Sequence, residues 1–301
     1  MLHTYQVAEH IFAIDAADPL FEQLPNYAPF QLEITNHKSQ ITNHHTPVFT
    51  IRVNDEALPT ADGWTPFYTD RSEDDMPRIE MYRRAGEWLF FVALSRDGEI
   101  VSALRCSEDW KEVELYVQPD TVRFAVDNAA MLVYAFATAN QQTLLFHSSV
   151  TVLDHKAYMF LGHSGTGKST HSRQWKTAFP EAFLLNDDNP AVRILSDGSV
   201  RVYGTPWSGK TPCYKNESAP VQALVQLVQA PANKIERLRM SQAYPYVLAS
   251  VSGLKVMPQM MDALFETIAK LLEISPVYRL ECLPNKEAAQ ICCAAINGSN
   301  S

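Results

Sequence analysis

The chain has 301 residues, enough for two domains, and its 46% hydrophobic and 20% charged content is the balance of a folded protein rather than a disordered one. A formal net charge of −9 argues against a nucleic-acid binder that relies on bulk positive charge, though it leaves room for a local phosphate pocket. The N-terminus has no basic stretch followed by a long apolar run, no segment reaches the roughly 18 apolar residues of a membrane span, and the five cysteines show no CxxC spacing. The expectation is a cytoplasmic protein with reduced, mostly buried thiols that binds neither membrane nor nucleic acid.

Between residues 30 and 125 the chain reads as short strands. FQLEI (30–34), VFTIRV (48–53), EWLFFVAL (87–94), IVSALRC (100–106) and EVELYV (112–117) are rich in β-branched and aromatic residues. Arg96-Asp97-Gly98 reads as a tight hairpin turn, and the polar TDRSEDDMPR (69–78) as a solvated loop. A mostly apolar, buried helix is expected over 126–141, capped by Asp127 or Asn128. From about residue 142 strand and helix alternate: TLLFHSSVTV, KAYMFLG, a glycine loop with a helix, then FLLNDD. The tail adds a helix over 259–274, a strand over 277–282 and a last helix from about Asn285 to Ala295. The organisation expected is a β-rich region over 1–125 and an α/β nucleotide-binding domain over 126–301, α+β overall.

Gly162-His163-Ser164-Gly165-Thr166-Gly167-Lys168-Ser169 fits the Walker A pattern G-x-x-x-x-G-K-[ST] in full, after a strand-like run and before a helix-like one. Glycines let the backbone take positive φ and come close to phosphates. Successive N–H groups then point inward at the positive end of a helix dipole. Lys168 would reach the β- and γ-phosphates and the Ser169 hydroxyl would hold Mg²⁺, while His163 and Thr166 occupy variable positions. The metal needs an acidic partner, and FLLNDD ends in Asp187 and Asp188, where a parallel strand would present them to the ligand crevice. One carboxylate can orient Mg²⁺ and the other can take a proton from an attacking hydroxyl; DDNP is also good turn chemistry. In YGTPWSGK (203–210), Trp207 and Lys210 are candidates for an acceptor pocket or a phosphate clamp, with a plain hairpin around one buried aromatic as the competing reading. Asn233 and Arg237 in PANKIERL are weaker candidates, a solvated helix face being the simpler account.

GHSGTGKST followed by FLLNDD resembles the HPr kinase/phosphorylase family and, more distantly, ATP-dependent phosphoenolpyruvate carboxykinase. The stretch over 202–227 resembles the segment that HPr-kinase-like proteins carry after the aspartates, so the likeness covers roughly 140 to 296. The resemblance implies the P-loop fold of that group, with Gly162 to Thr170 binding the nucleotide, including His163, Ser164, Gly165, Thr166 and Gly167. It also implies that Ser169 and Asp188 hold Mg²⁺, that Asp187 is the general base, and that His147 assists it or the phosphate. Thr170 stands where the family usually has Glu. The function expected is a kinase that uses ATP and Mg²⁺ to phosphorylate a hydroxyl of a protein serine or a small molecule. The alternative is a regulatory protein that binds nucleotide and transfers nothing. A homo-oligomer is left open.

Overall fold

The computed structural model describes residues 1–32, 46–70, 77–209, 211–253 and 255–298, and the chain folds into two compact units, Met1–Thr138 and Ala139–Ser301, of mixed α/β structure.

In the first unit β1 (Leu2–Val7) and β2 (His10–Asp15) form an antiparallel hairpin, followed by the single turn α1 (Asp18–Phe21). Six further strands complete one sheet: β3 (Thr50–Asn54), β4 (Thr65–Thr69), β5 (Ile79–Arg84), β6 (Glu87–Ala93), β7 (Ile100–Ser107) and β8 (Glu112–Val117). Their order is β1-β2-β3-β8-β7-β6-β5-β4, with β2–β3 and β3–β8 parallel. The turn expected at 96–98 joins β6 to β7, with the Gly98 N–H donating to Ser95 O at 3.1 Å. FQLEI does not begin a strand: Phe30 ends a 3-10 turn, Pro25–Phe30, whose two prolines suit a turn rather than a ladder. Residues 33, 34, 44, 45 and most of the polar loop over 69–78 lie outside the described residues.

The long helix α2 (Val122–Thr138) begins four residues before the expected start. Asp127 is therefore no cap. It lies inside the helix, where its carboxylate accepts a hydrogen bond from Asn26 Nδ2 at 2.9 Å, and burial pushes its pKa up to about 6. The buried stripe of α2 packs on β7 and β8, so the helix belongs with the strands and the units divide after Thr138 rather than at 125. Here Trp110 stacks on Trp88 at 5.9 Å between centroids and meets Phe136 at 4.4 Å.

The second unit is built on β9 (Thr143–Leu145), β10 (Ser148–Leu153), β11 (Lys156–Leu161), β12 (Phe183–Asp188), β13 (Ala191–Ile194), β14 (Val200–Tyr203), β15 (Ser218–Gln229), β16 (Lys234–Arg237) and β17 (Val277–Cys282). Its helices are α3 (Lys168–Ala178), α4 (Met240–Ser250), α5 (Pro258–Ile274) and α6 (Lys286–Gly298). The sheet runs β12-β10-β11-β15-β14-β13-β9, with β17 and then β16 branching from the later part of β15. β11 shows why the sheet is covered on both faces. Ala157, Met159 and Leu161 pack with α4 and α5 residues such as Val247 and Leu271, while Tyr158 and Phe160 pack with Trp175 of α3 and Cys292 of α6. Among the described strands of this unit only β11–β15 and β15–β17 pair in parallel; the sheet is mixed. PANKIERL contributes β16, a strand paired antiparallel with β17, not a helix face. Among the described residues no helix is long and apolar enough to cross a membrane.

Candidate functional site

The register of three strands sets the site. β10 lies between β11 and β12 and runs antiparallel to both, with Ser148 opposite Leu161 on one side and Asp188 on the other. The C-terminal ends of β11 and β12 therefore come to one sheet edge, though the strand beside the aspartates is antiparallel and not the parallel neighbour expected. The glycine loop leaves β11 at that edge. Gly162, Gly165 and Gly167 have φ of 151°, 77° and 104°, values that a side chain would strain, so the loop needs glycine at these points. Gly167 is the N-cap of α3, which places Lys168 and Ser169 in the first helical turn. Helix α3 is held by Trp175, fully buried against Tyr158 and Phe160, and by a 2.7 Å hydrogen bond between the hydroxyls of Ser172 and Ser149 of β10.

Lys168 is nearly buried at 9% exposure, and its Nζ donates to Gly162 O at 2.8 Å and His163 O at 3.2 Å. It also lies 2.8 Å from His147 Nε2. An ammonium only donates, so Nε2 must accept and the ring proton sits on Nδ1. That Nδ1–H faces Asp188 Oδ1 at 2.9 Å, giving a directed chain Lys168–His147–Asp188. Separately, Ser169 Oγ donates to Asp187 Oδ1 at 2.9 Å. These contacts give the two adjacent aspartates different partners. Asp187 is 5% exposed and bonded to the loop serine; Asp188 is 33% exposed at its side chain and bonded to the histidine. Asp188 also has φ 147°, a strained value for an L residue, held by the structure around it.

The second loop supplies part of that restraint. Gly209 N–H donates to Asp187 O at 2.7 Å, and Ser208 forms a bridge to Asp188 and donates from Oγ to Asp187 O at 3.3 Å. A Cβ on Gly209 would stand 3.2 Å from that of Asp188. Trp207, named from sequence for an acceptor pocket or phosphate clamp, is buried at 3% exposure, and its backbone N–H donates to Thr205 Oγ1 at 3.2 Å. Lys210 lies outside the described residues. Asn233 is structural: its amide bonds Asn285 and Glu287 at the start of α6. Ser208 and the deep pair Ser149–Ser172 escaped sequence reasoning because isolated serines carry no pattern of their own.

A cavity of about 340 Å³ opens beside the loop, lined by Gly165, Gly167, Thr170, His171, Cys282 and Pro284 among others. Gln229, from the end of β15, borders it and donates to Gly165 O at 3.2 Å. His171 accepts from Trp175 Nε1 at 3.0 Å, and burial pushes its pKa down to about 4, so it is neutral at pH 7. Thr170 accepts a hydrogen bond from Arg173 at 3.0 Å.

No family model and no curated protein matches the chain. Among solved structures, the Hpr(Ser) kinase/phosphatase from Coxiella burnetii is similar over 52% of this chain and 90% of its own length, at 10% identity and a TM-score of 0.31. That likeness is distant and concerns the path of the chain alone.

Proposed function

We propose that this chain is a nucleotide-dependent phosphotransferase, taking the γ-phosphoryl of ATP with Mg²⁺ and passing it to a hydroxyl. Its second unit would be a P-loop domain. The observation that supports it most is the convergence at one sheet edge of two separate contacts, Ser169 to Asp187 and Lys168 to Asp188 through His147. A pure nucleotide binder has use for the first and none for the second.

The residues fit the two groups the reading requires. Ser169 Oγ and Asp187 Oδ1 are hard oxygen donors 2.9 Å apart, and Mg²⁺ is commonly held by one or two protein oxygens plus phosphates. The glycine loop presents backbone N–H groups at the start of α3, and the 340 Å³ cavity beside it suits a nucleoside. When bound, Mg²⁺ supplies charge neutralisation for the transferred phosphoryl. Lys168 adds its own charge once it turns from the loop carbonyls to a phosphate. Asp188, held by the Nδ1–H of His147, takes the acceptor's proton. The acceptor oxygen forms its bond to phosphorus as the bond to the bridging oxygen breaks, and ADP leaves with that electron pair.

Asp188→Asn should lower phosphate transfer or Mg·ATP hydrolysis at least a hundredfold, with Mg·ATP affinity changed less than about fivefold. Asp187→Asn should weaken Mg·ATP binding itself. Calorimetric titration and release of labelled γ-phosphate read the two quantities. Equal effects of both substitutions on both quantities would sink the assignment. Binding without turnover in the unaltered protein, whatever hydroxyl is offered, would favour the non-catalytic nucleotide-binding reading.

A further inference from the structure

A second cavity, of about 450 Å³, shares no lining residue with the one beside the phosphate loop. It lies where β16 ends and α4 begins, roofed by the junction of α5 with β17. Its walls are Leu238, Met240, Leu272, Pro276 and Val277, and its polar groups are Arg237, Arg239 and Ser275. We propose that this cavity binds an amphipathic anion, a carboxylate carried on an apolar body, with Arg237, Arg239 and Ser275 holding the head group.

Four observations converge on it. The first is charge. The chain carries a net −9, yet two guanidinium groups line this cavity and, among the described residues, no acidic one does. Nearby Arg279 is neutralised by Glu236 and Glu281, at 3.6 and 2.6 Å. Among the described residues no carboxylate pairs with Arg237. Arg239 gives its Nε and backbone N–H to Gln242 Oε1, at 3.3 and 3.1 Å, and its Nη groups have no partner among the described residues. Forked donors of this kind match a carboxylate.

The second is the helix terminus. Arg239 is the N-cap of α4, an eleven-residue helix; Gln242 N–H donates to Arg239 O at 2.9 Å, while the N–H groups of Met240 and Ser241 have no carbonyl within the helix, and the positive dipole end lies at the cavity. The third is Ser275, which caps the C-terminus of α5 and lines the same cavity. It is 2% exposed and its Oγ has no hydrogen-bond partner among the described residues, a cost that a ligand's oxygen would remove. The fourth is the lining. Apolar side chains around a few convergent polar groups, in a volume within the ordinary range for small-molecule sites, exclude a bare inorganic ion as the best fit and favour an apolar body behind the head group. The proposal is independent of the phosphotransferase reading.

The test uses the whole protein and a fluorescent amphipathic anion, 8-anilinonaphthalene-1-sulfonate, as probe. We expect one site per chain, displaced by octanoate and not by octan-1-ol, and not displaced by saturating Mg·ATP. Arg237→Gln with Arg239→Gln should weaken probe and octanoate affinity at least tenfold, and Ser275→Ala about threefold. Both arginines are solvent-exposed, and circular dichroism checks that the variants fold; the single variants Arg237→Gln and Arg239→Gln, each weakening affinity at least threefold, carry the test if the double variant does not. Affinity within twofold of the unaltered protein in the folded arginine variants would overturn the proposal. So would equal displacement by octan-1-ol, which would show an apolar patch without anion recognition, or one-for-one displacement by Mg·ATP, which would place the probe at the phosphate loop.

Discussion

Replacing Asp127 by Asn tests the electrostatics of the first unit in isolation. The carboxylate sits inside α2 with hydrogen bonds from Asn26 and Tyr27 and a longer contact of 3.6 Å to Arg123, and burial raises its pKa from an ordinary 3.8 to about 6. A raised carboxylate pKa means that the folded state binds a proton more tightly than the unfolded one. Its contribution is thus most favourable below about pH 4 and is lost as pH rises through 6. A rise of that size corresponds to about 3 kcal/mol between the protonated and ionised forms. Because the side chain is 27% exposed, solvent screening reduces the expected effect to about 1–2 kcal/mol. Asn keeps an oxygen to accept from Asn26 and carries no charge. Asp127→Asn should match the unaltered protein at pH 4 and exceed it by about 1–2 kcal/mol at pH 7.5. Urea unfolding followed by tryptophan fluorescence reads this, the stacked Trp88 and Trp110 reporting on the same unit. A variant that is no more stable at pH 7.5, or a difference that does not vary with pH, would refute the reasoning.

Lys168→Ala removes a charged donor from the loop and should weaken Mg·ATP binding by about 2 kcal/mol, roughly thirtyfold, in calorimetry; a loss below threefold would mean that phosphate is not held there. Gly204→Ala places a Cβ 2.0 Å from Lys215 O, a backbone atom that cannot turn aside, so urea unfolding should show a loss of about 3 kcal/mol or more. Cys282 lines the cavity beside the loop, and Mg·ATP should slow its alkylation by N-ethylmaleimide at least fivefold; an unchanged rate would remove that cavity as the nucleoside seat. His171, held neutral by burial with its pKa near 4, should cost stability as pH falls from 6.5 towards 4, a slope that His171→Gln abolishes in unfolding measurements.

Local patterns carried much of this chain into view. KAYMFL, FLLNDD and VYRLEC occupy β11, β12 and β17 to the residue, because short apolar runs bounded by turn or polar residues have few other conformations open to them. The glycine loop was legible for the same reason: positive φ at three points in six residues admits little besides glycine. Helix α2 was legible as a helix, but its owner was not, since an apolar stripe says that something covers it and not which sheet does.

The sequence by itself determined which residues are candidates to hold a phosphate, to hold a metal or to move a proton. Only the tertiary structure decided which partner each of them meets. Asp187 and Asp188 are neighbours of identical chemistry, and nothing in the order FLLNDD separates them. Strand pleating does: adjacent residues of β12 point to opposite sides, sending one carboxylate to Ser169 at the start of α3 and the other to His147 ahead of β10. The same holds for Ser208, Gly209 and the cavity at α4, where residues far apart in the chain meet only because the sheet brings their strands together.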